Sequence, residues 1–107
     1  MSKKAISCPL EKTLEIIGGR WKVLIIRELA FKGTVRFGEL HRSLVGISQR
    51  ILTKELRELE RQKILRRKVY REIPPKVEYS LTQTGQTLDP VLKAMSEWGK
   101  LFIETNL

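Results

Sequence analysis

Between Ser48 and Arg61 the sequence SQRILTKELRELER gathers side chains that can bond nucleic acid. At about 100° per residue, Arg50, Lys54, Arg57 and Arg61 fall on one side of a helix, while Leu52, Leu56 and Leu59 fall on the other. A helix needs the leucine stripe to dock, but docking does not call for a nearly unbroken cationic stripe on its back. Ser48, Gln49, Arg50, Thr53 and Lys54 lie near the N-terminal end, where an α-helix in a major groove about 12 Å wide reaches base edges. Gln suits bidentate bonding to adenine and Arg to guanine, and Ser and Thr reach bases or phosphates. Farther along, Arg57 and Arg61 suit phosphates, which position a protein without reading sequence. The alternative is an ordinary amphipathic helix with a solvated back. Glu55, Glu58 and Glu60 favour that alternative, since they could pair with neighbouring cations. They are expected on the flanks, off the cationic stripe.

Such a helix must be aimed by the elements around it. Before it, FGELHRSL reads as a brief helix carrying Phe37, Leu40 and Leu44, and Val45-Gly46-Ile47 turns the chain. Ser48 is the expected N-cap. Helix, glycine-containing turn and second helix make a helix-turn-helix over about 36–62. Upstream, RWKVLIIRELAFKG places Trp21, Leu24, Ile25 and Leu29 at helical spacing, the expected centre of the core, and Thr34-Val35-Arg36 reads as an extended link. A first helix over about 9–18 opens at Ser7-Cys8-Pro9, with Leu10, Leu14 and Ile17 on one face. It ends at Gly18-Gly19, where glycine can take the left-handed conformation.

After Ile64 the period changes from 3.6 to 2. LRRKVYREI and VEYSL read as a two-stranded hairpin over about 64–81, turned by Pro74-Pro75, with Arg71 and Lys76 at its tip. The cations Arg66, Arg67, Lys68, Arg71 and Lys76 could be edge-strand charges that prevent aggregation. Directly after a cationic helix they read better as a wing gripping phosphates. Thr82 is expected to cap a last helix over about 83–105, in which Leu88, Leu92, Met95, Trp98 and Phe102 recur at three- and four-residue intervals. Pro90 either starts its regular part or kinks it.

Composition bounds the rest. The chain reads as one domain, 1–107, with 41% hydrophobic and 31% charged residues, the mixture of a globular chain. Its net charge is +9, from 21 Lys and Arg against 12 Asp and Glu. The excess is concentrated: Arg36 to Lys76 holds 12 basic and 5 acidic residues, whereas Leu81 to Leu107 holds two and three. That asymmetry points to a polyanionic partner for the middle of the chain and a different task for its end. No run approaches the roughly 20 apolar residues of a membrane span, and MSKKAISCPLEK lacks a signal-peptide core, so cytoplasmic residence without membrane contact is expected. One cysteine, Cys8, and one histidine, His41, leave no disulfide framework and no multi-ligand metal site, and no cofactor is expected. His41 is expected to be exposed or touching phosphate. No nucleophile–base set supports an enzyme.

The order CPLEKTLEIIGGRWKVLIIREL, RFGELHRSLVGISQRILTKELRELE, a basic strand, PPKVEYSLTQTG and a terminal EWG resembles the HxlR family of bacterial winged helix-turn-helix transcription regulators. The resemblance runs from about Cys8 to Leu101. It implies a mainly helical α+β fold, a winged helix-turn-helix with a two-stranded wing and extra N- and C-terminal dimerisation helices. It also implies a homodimer on a pseudo-palindromic operator in double-stranded DNA. Gln49, Arg50, Thr53 and Lys54 would then face the groove, with Arg36 and the wing on the backbone. The expected DNA contacts are Arg36, Ser48, Gln49, Arg50, Thr53, Lys54, Arg57, Arg71 and Lys76. The expected dimer contacts are Leu10, Leu14, Leu92, Met95, Trp98 and Phe102. Independently, the apolar stripe of the last helix exceeds what a short neighbour should bury, and such a surplus marks an interface.

Cys8 has two readings. Beside Pro9 at a helix start, with Lys3, Lys4 and Lys12 near in sequence, its thiolate would be favoured by the helix dipole. Several HxlR-type proteins carry an N-terminal cysteine that senses oxidants or electrophiles, which would make Cys8 a redox sensor. The commoner fate of a free cysteine is a small, inert, partly buried residue. The alternative to a sequence-specific regulator is a nucleic-acid binder without sequence preference. Single-strand binding is disfavoured because Trp21, Phe31, Phe37, Trp98 and Phe102 sit in apolar patterns, leaving few rings to stack bases.

Overall fold

The computed structural model of the chain describes residues 8–106. Ser7, Lys3 and Lys4, which were expected to bear on the first helix and on Cys8, lie outside the described residues. The elements run α1 (Pro9–Ile17), α2 (Trp21–Lys32), β1 (Val35–Arg36), α3 (Phe37–Ser43), α4 (Gln49–Arg61), β2 (Leu65–Tyr70), β3 (Lys76–Leu81), α5 (Gln83–Gln86) and α6 (Asp89–Asn106). None of these helices is long and apolar enough to cross a membrane.

The core joins α2, α3, α4 and the sheet. Ile25, Ile26, Leu29, Val35, Leu40, Leu52, Leu56, Leu59 and Leu65 are its fully buried members. The leucine stripe of α4 is buried as its spacing predicts. In α2 the buried residues are Ile25, Ile26 and Leu29, while Trp21 and Leu24 are only partly covered. In α1 only Ile17 is buried, and Leu10 and Leu14 face outward.

The sheet has three strands in the order β1-β3-β2, all antiparallel neighbours. The expected extended link at Val35-Arg36 is therefore a strand, with Val35 opposite Tyr79 and Arg36 opposite Glu78. Two residues are too few to show a period, and only the burial of Val35 against the rest of the core recruits them. The two long strands β2 and β3 form the wing proper, in register from Leu65–Leu81 to Tyr70–Lys76.

Three local devices set the direction of α4. At its start, Ser48 caps the helix, its Oγ accepting from Ile51 N at 3.1 Å. The turn before it uses Gly46 at φ 97°, a left-handed conformation that glycine takes without steric cost. His41 reaches across that turn, its Nε2 3.0 Å from the Ile47 carbonyl oxygen, and its ring stacks on Phe37. The single histidine is thus part of the turn, which corrects the expectation of an exposed or phosphate-touching side chain.

At the other end, Lys63 adopts φ 63°, Ile64 N donates to Leu59 O at 2.9 Å, and Lys63 N donates to Glu60 O at 2.9 Å. This paired arrangement is a Schellman C-cap. It turns the chain from α4 into β2 across Gln62, Lys63 and Ile64. Thr82 locks the same corner: its hydroxyl donates to Lys63 O at 2.6 Å, its amide donates to Ile64 O at 3.0 Å, and its Oγ1 accepts from Gly85 N at 3.0 Å. A Cβ on Gly85 would overlap the Ile64 carbonyl oxygen, so a side chain there would force the corner apart.

The last helix departs from the expected single element. Thr82 caps the short α5, and α6 begins separately at Asp89, with Pro90 in its first turn where the missing N–H costs nothing. The end of α1 also differs in detail, since Gly18 is extended and the positive φ belongs to Gly19.

Candidate nucleic-acid interface

Burying Leu52, Leu56 and Leu59 leaves the opposite face of α4 open to solvent. On it, Gln49, Arg50, Thr53, Lys54 and Arg57 line one shallow cleft. Ser48 stands at the head of that face. Its oxygen is used by the cap, yet its O–H remains able to donate outward. Arg61 is exposed in the last turn and lies outside the cleft.

The carboxylates of α4 are not bystanders on the flanks. Lys22 of α2 donates from Nζ to Glu55 Oε1 at 2.7 Å and to Glu58 Oε1 at 2.5 Å. Lys54 lies 3.1 Å from Glu58 Oε2 and 3.8 Å from Glu55 Oε2. Glu55 and Glu58 thus pair with a neighbouring cation, as the alternative reading allowed, and in addition tie that cation to α2. Spacing on one helix cannot reveal this, because the second cation comes from an element about 30 residues away. Hydrogen bonds from Lys22 and Lys54 hold the Glu58 carboxyl at about 2, well below the usual carboxylate value. Burial alone would lower the Lys22 ammonium, but its hydrogen bonds to Glu55 and Glu58 raise it.

The wing contributes Arg66, Arg67 and Lys68, all exposed on β2, and Arg71 in the loop that follows. Lys76 stands at the tip of the hairpin, as expected, as the first residue of β3, in the ladder pair next to the turn. Its ammonium sits 4.3 Å above the Tyr70 ring and within 3.8 Å of both Glu72 and Glu78, while Tyr70 donates to Glu78 at 2.9 Å. Its role is therefore to stiffen the wing as much as to present charge. Arg36 ends β1 exposed beside the same region, opposite Glu78.

Sequence reasoning named Arg67 only as one of five wing cations, and the register distinguishes it from the others. Arg67 pairs with Tyr79, whose hydroxyl-bearing side chain is buried. Burial pushes that hydroxyl above the usual tyrosine value, opposed by the Arg67 guanidinium. The strand alternation Leu65, Arg67, Val69 would have placed Arg67 on the face of Tyr79 once the register was known.

Other expected residues lie elsewhere. Leu10 and Leu14 on α1 and Met95, Trp98 and Phe102 on α6 are all about half exposed or more, and Trp98 stacks on Phe102 at 5.4 Å. Leu92 is partly covered by the core. Phe31, expected in an apolar pattern, is 87% exposed and lines a groove between α2 and α6, not the α4 cleft. Cys8 is the partly exposed N-cap residue of α1. Lys12, expected to favour its thiolate, is paired with Glu15 at 3.0 Å. Among the described residues no group of His, Cys, Asp or Glu could hold a metal ion.

Comparison with known proteins sets this arrangement among relatives. The profile of the HxlR-like helix-turn-helix family matches residues 16–107. The HTH-type transcriptional regulator YdeP of Bacillus subtilis is 50% identical over 95 residues, covering 89% of this chain and 73% of that protein. Among solved structures, the redox regulator HypR in its reduced form superposes with a TM-score of 0.86 at 46% identity, covering 92% of this chain and 96% of HypR. The reduced form of the transcriptional regulator YodB from B. subtilis superposes at 0.81 with 38% identity, covering 95% and 100%.

The depressed Glu58 carboxyl has a stability consequence whose sign is fixed. A group with a lowered folded value contributes stability that is present above its unfolded value, near 4.5, and lost as pH falls towards 2. In thermal unfolding followed by circular dichroism, the melting temperature of the native chain relative to Glu58→Gln is expected to fall between those two pH values. A pH-independent difference would show that the ion pairs to Glu58 contribute nothing to folding.

Proposed function

The chain belongs to the HxlR-like helix-turn-helix family, which makes it a DNA-binding transcription regulator and not an enzyme, and we propose that it binds one DNA sequence specifically, as a homodimer, in the cytoplasm. The observation that carries this reading is the α4 cleft, where Gln49, Arg50 and Thr53 stand beside Lys54 and Arg57 on a helix fixed at both ends. Base-reading residues occupy the N-terminal turns, and phosphate-binding residues occupy the remainder and the wing. Arg36, Ser48 and Arg71 extend the proposed contact along the backbone. Lys76 contributes through the position of the wing, and Arg67 joins the set.

Anisotropy with duplex DNA from upstream of the chain's own gene, beside an unrelated duplex of equal length, tests the reading. Binding to the upstream DNA that is tighter by about 10³-fold or more at physiological salt supports it. Equal binding with a steep salt slope on every genomic fragment tried would leave only phosphate contact. Arg50→Ala is expected to cost about 1–3 kcal/mol on the operator and to relax preference at one base position. An equal loss on all sequences would make Arg50 a phosphate contact.

The dimer rests on α1 and α6. α6 has no buried residue, and Val91, Met95, Trp98, Leu101, Phe102 and Ile103 are all exposed on it, as are Leu10 and Leu14 on α1. So much large apolar surface on two terminal helices fits a two-fold partner. Trp98→Ala is expected to weaken the dimer by an amount visible in sedimentation equilibrium. An unchanged dimer would move the interface to another surface.

Cys8 is proposed to respond to oxidants or electrophiles. It is partly exposed at a helix start on a proposed dimer helix, and HypR, which is similar to this chain, is described as a redox regulator. With one cysteine in the chain, any disulfide must join another molecule. Diamide is expected to lower operator affinity of the native protein and not of Cys8→Ser. An equal response from both would remove Cys8 from any sensing role.

A further inference from the structure

Both carboxylate oxygens of Glu58 are committed, Oε1 to Lys22 and Oε2 to Lys54. Glu55 repeats the pattern more loosely, with Lys22 at 2.7 Å and Lys54 at 3.8 Å. The two lysines are not equivalent. Lys22 belongs to α2 and its side chain is 12% exposed, whereas Lys54 is 58% exposed and lines the α4 cleft. A covered cation thus orients two carboxylates, and the carboxylates restrain a cation of the binding face. Arg50 and Arg57, the other cations of that cleft, form no ion pair among the described residues.

Non-specific binding to a duplex is driven by counterion release, one cation for one phosphate. Lysine, a point charge on a flexible stem, is well suited to such opportunistic contacts. Lys54 is the cleft cation that would otherwise swing to the nearest phosphate. With Glu58 beside it, moving to phosphate exchanges one ion pair for another and brings a carboxylate towards the polyanion, which repels it. On non-cognate DNA nothing returns that cost, whereas at a matching site Lys54 recovers it by donating to a guanine edge. Arg50 and Gln49, free of such restraint, return favourable energy only where base edges match.

We propose that Glu58, assisted by Glu55 and held by Lys22, is a specificity-determining residue that withholds Lys54 from the phosphates of non-cognate DNA. The proposal rests on α4 being the DNA-facing helix. It treats the pair as a repulsive element against wrong partners, the second means by which discrimination is built. Glu58 touches no DNA in this scheme and acts through Lys54, so it is a positioning residue.

The test is anisotropy of the full-length protein with a short labelled duplex of arbitrary sequence, across a salt series. Releasing Lys54 to one additional phosphate adds about 0.9 to the magnitude of the slope of log K against log salt, which near 0.15 M is about a fivefold gain in affinity. Glu58→Gln is expected to show both changes, and Lys54→Ala in the same chain to abolish them. Glu58→Asp keeps the charge but shortens the reach, and is expected to steepen the slope in the same direction by less. Glu55→Gln, with the weaker contact to Lys54, is expected to give a smaller gain and provides the measurement if Glu58→Gln does not fold. An unchanged slope in both glutamine variants overturns the proposal. So does an equal gain in the Lys54→Ala background, which would reveal a general charge effect. A native chain that binds no duplex at any salt would remove the DNA-facing assignment itself, a different failure from the first two.

Discussion

Leu52, Leu56 and Leu59 are at most 1% exposed, and their burial between α2 and the sheet is what the binding face depends on. Each contributes about 1.5–3 kcal/mol when removed from water, several times what an exposed ion pair supplies. Because the leucines, with Ile51 beside them, anchor α4, its other face is left to present Gln49, Arg50, Thr53 and Arg57 along the cleft. The same burial brings Glu55 and Glu58 over Lys22. Polar contacts then refine a helix whose position is already set by apolar ones.

Rigidity at the two ends of α4 follows from hydrogen bonds, not from the core. Ser48 and the His41–Ile47 bond fix its entry, and the Schellman cap at Lys63 with the Thr82 hydroxyl fixes its exit. The exit corner joins α4 to β2 through hydrogen bonds on both sides of Lys63 and Ile64, so the wing starts from the end of the helix. Tyr79, opposite Arg67 in the ladder and buried in the core, ties the wing to the body of the domain. The distance between the α4 cleft and the cations of the wing is thereby built into the chain.

The outward faces of α1 and α6 show the opposite condition. They carry apolar side chains that the chain's own core does not cover. In the proposed dimer this surface would couple the spacing of two α4 helices to whatever alters α1, including chemistry at Cys8, its N-cap residue. The large groove between α2 and α6, lined by Leu24, Phe31 and Met95, borders the same surface. Charge and hydrophobicity are therefore segregated, with the cations around α4 and the wing and the uncovered apolar side chains towards the termini.

Much of this was legible in the residues themselves. The leucine spacing of α4, the Ser48 cap, the change to a period of 2 after Ile64 and the surplus stripe on the last helix are local patterns, governed by neighbours three or four positions away. They specify a winged helix-turn-helix and the face on which its cations gather. What lay beyond reach depends on pairs distant in the chain. Val35-Arg36 becomes a strand only because β3 lies beside it, His41 turns inward only because the Ile47 carbonyl faces it, and Lys76 is half-neutralised by Tyr70, Glu72 and Glu78 once the wing folds back. Lys54 gives the clearest case. Sequence placed it on the cationic stripe with Glu58, four residues on, as a possible partner, whereas packing α2 against α4 set Lys22 beneath that carboxylate and committed both of its oxygens. Helical periodicity decides which way a side chain points and which neighbours on its own helix it can pair with, but only the tertiary fold decides what it meets from other elements, because those contacts depend on distances in space that no spacing along the chain encodes.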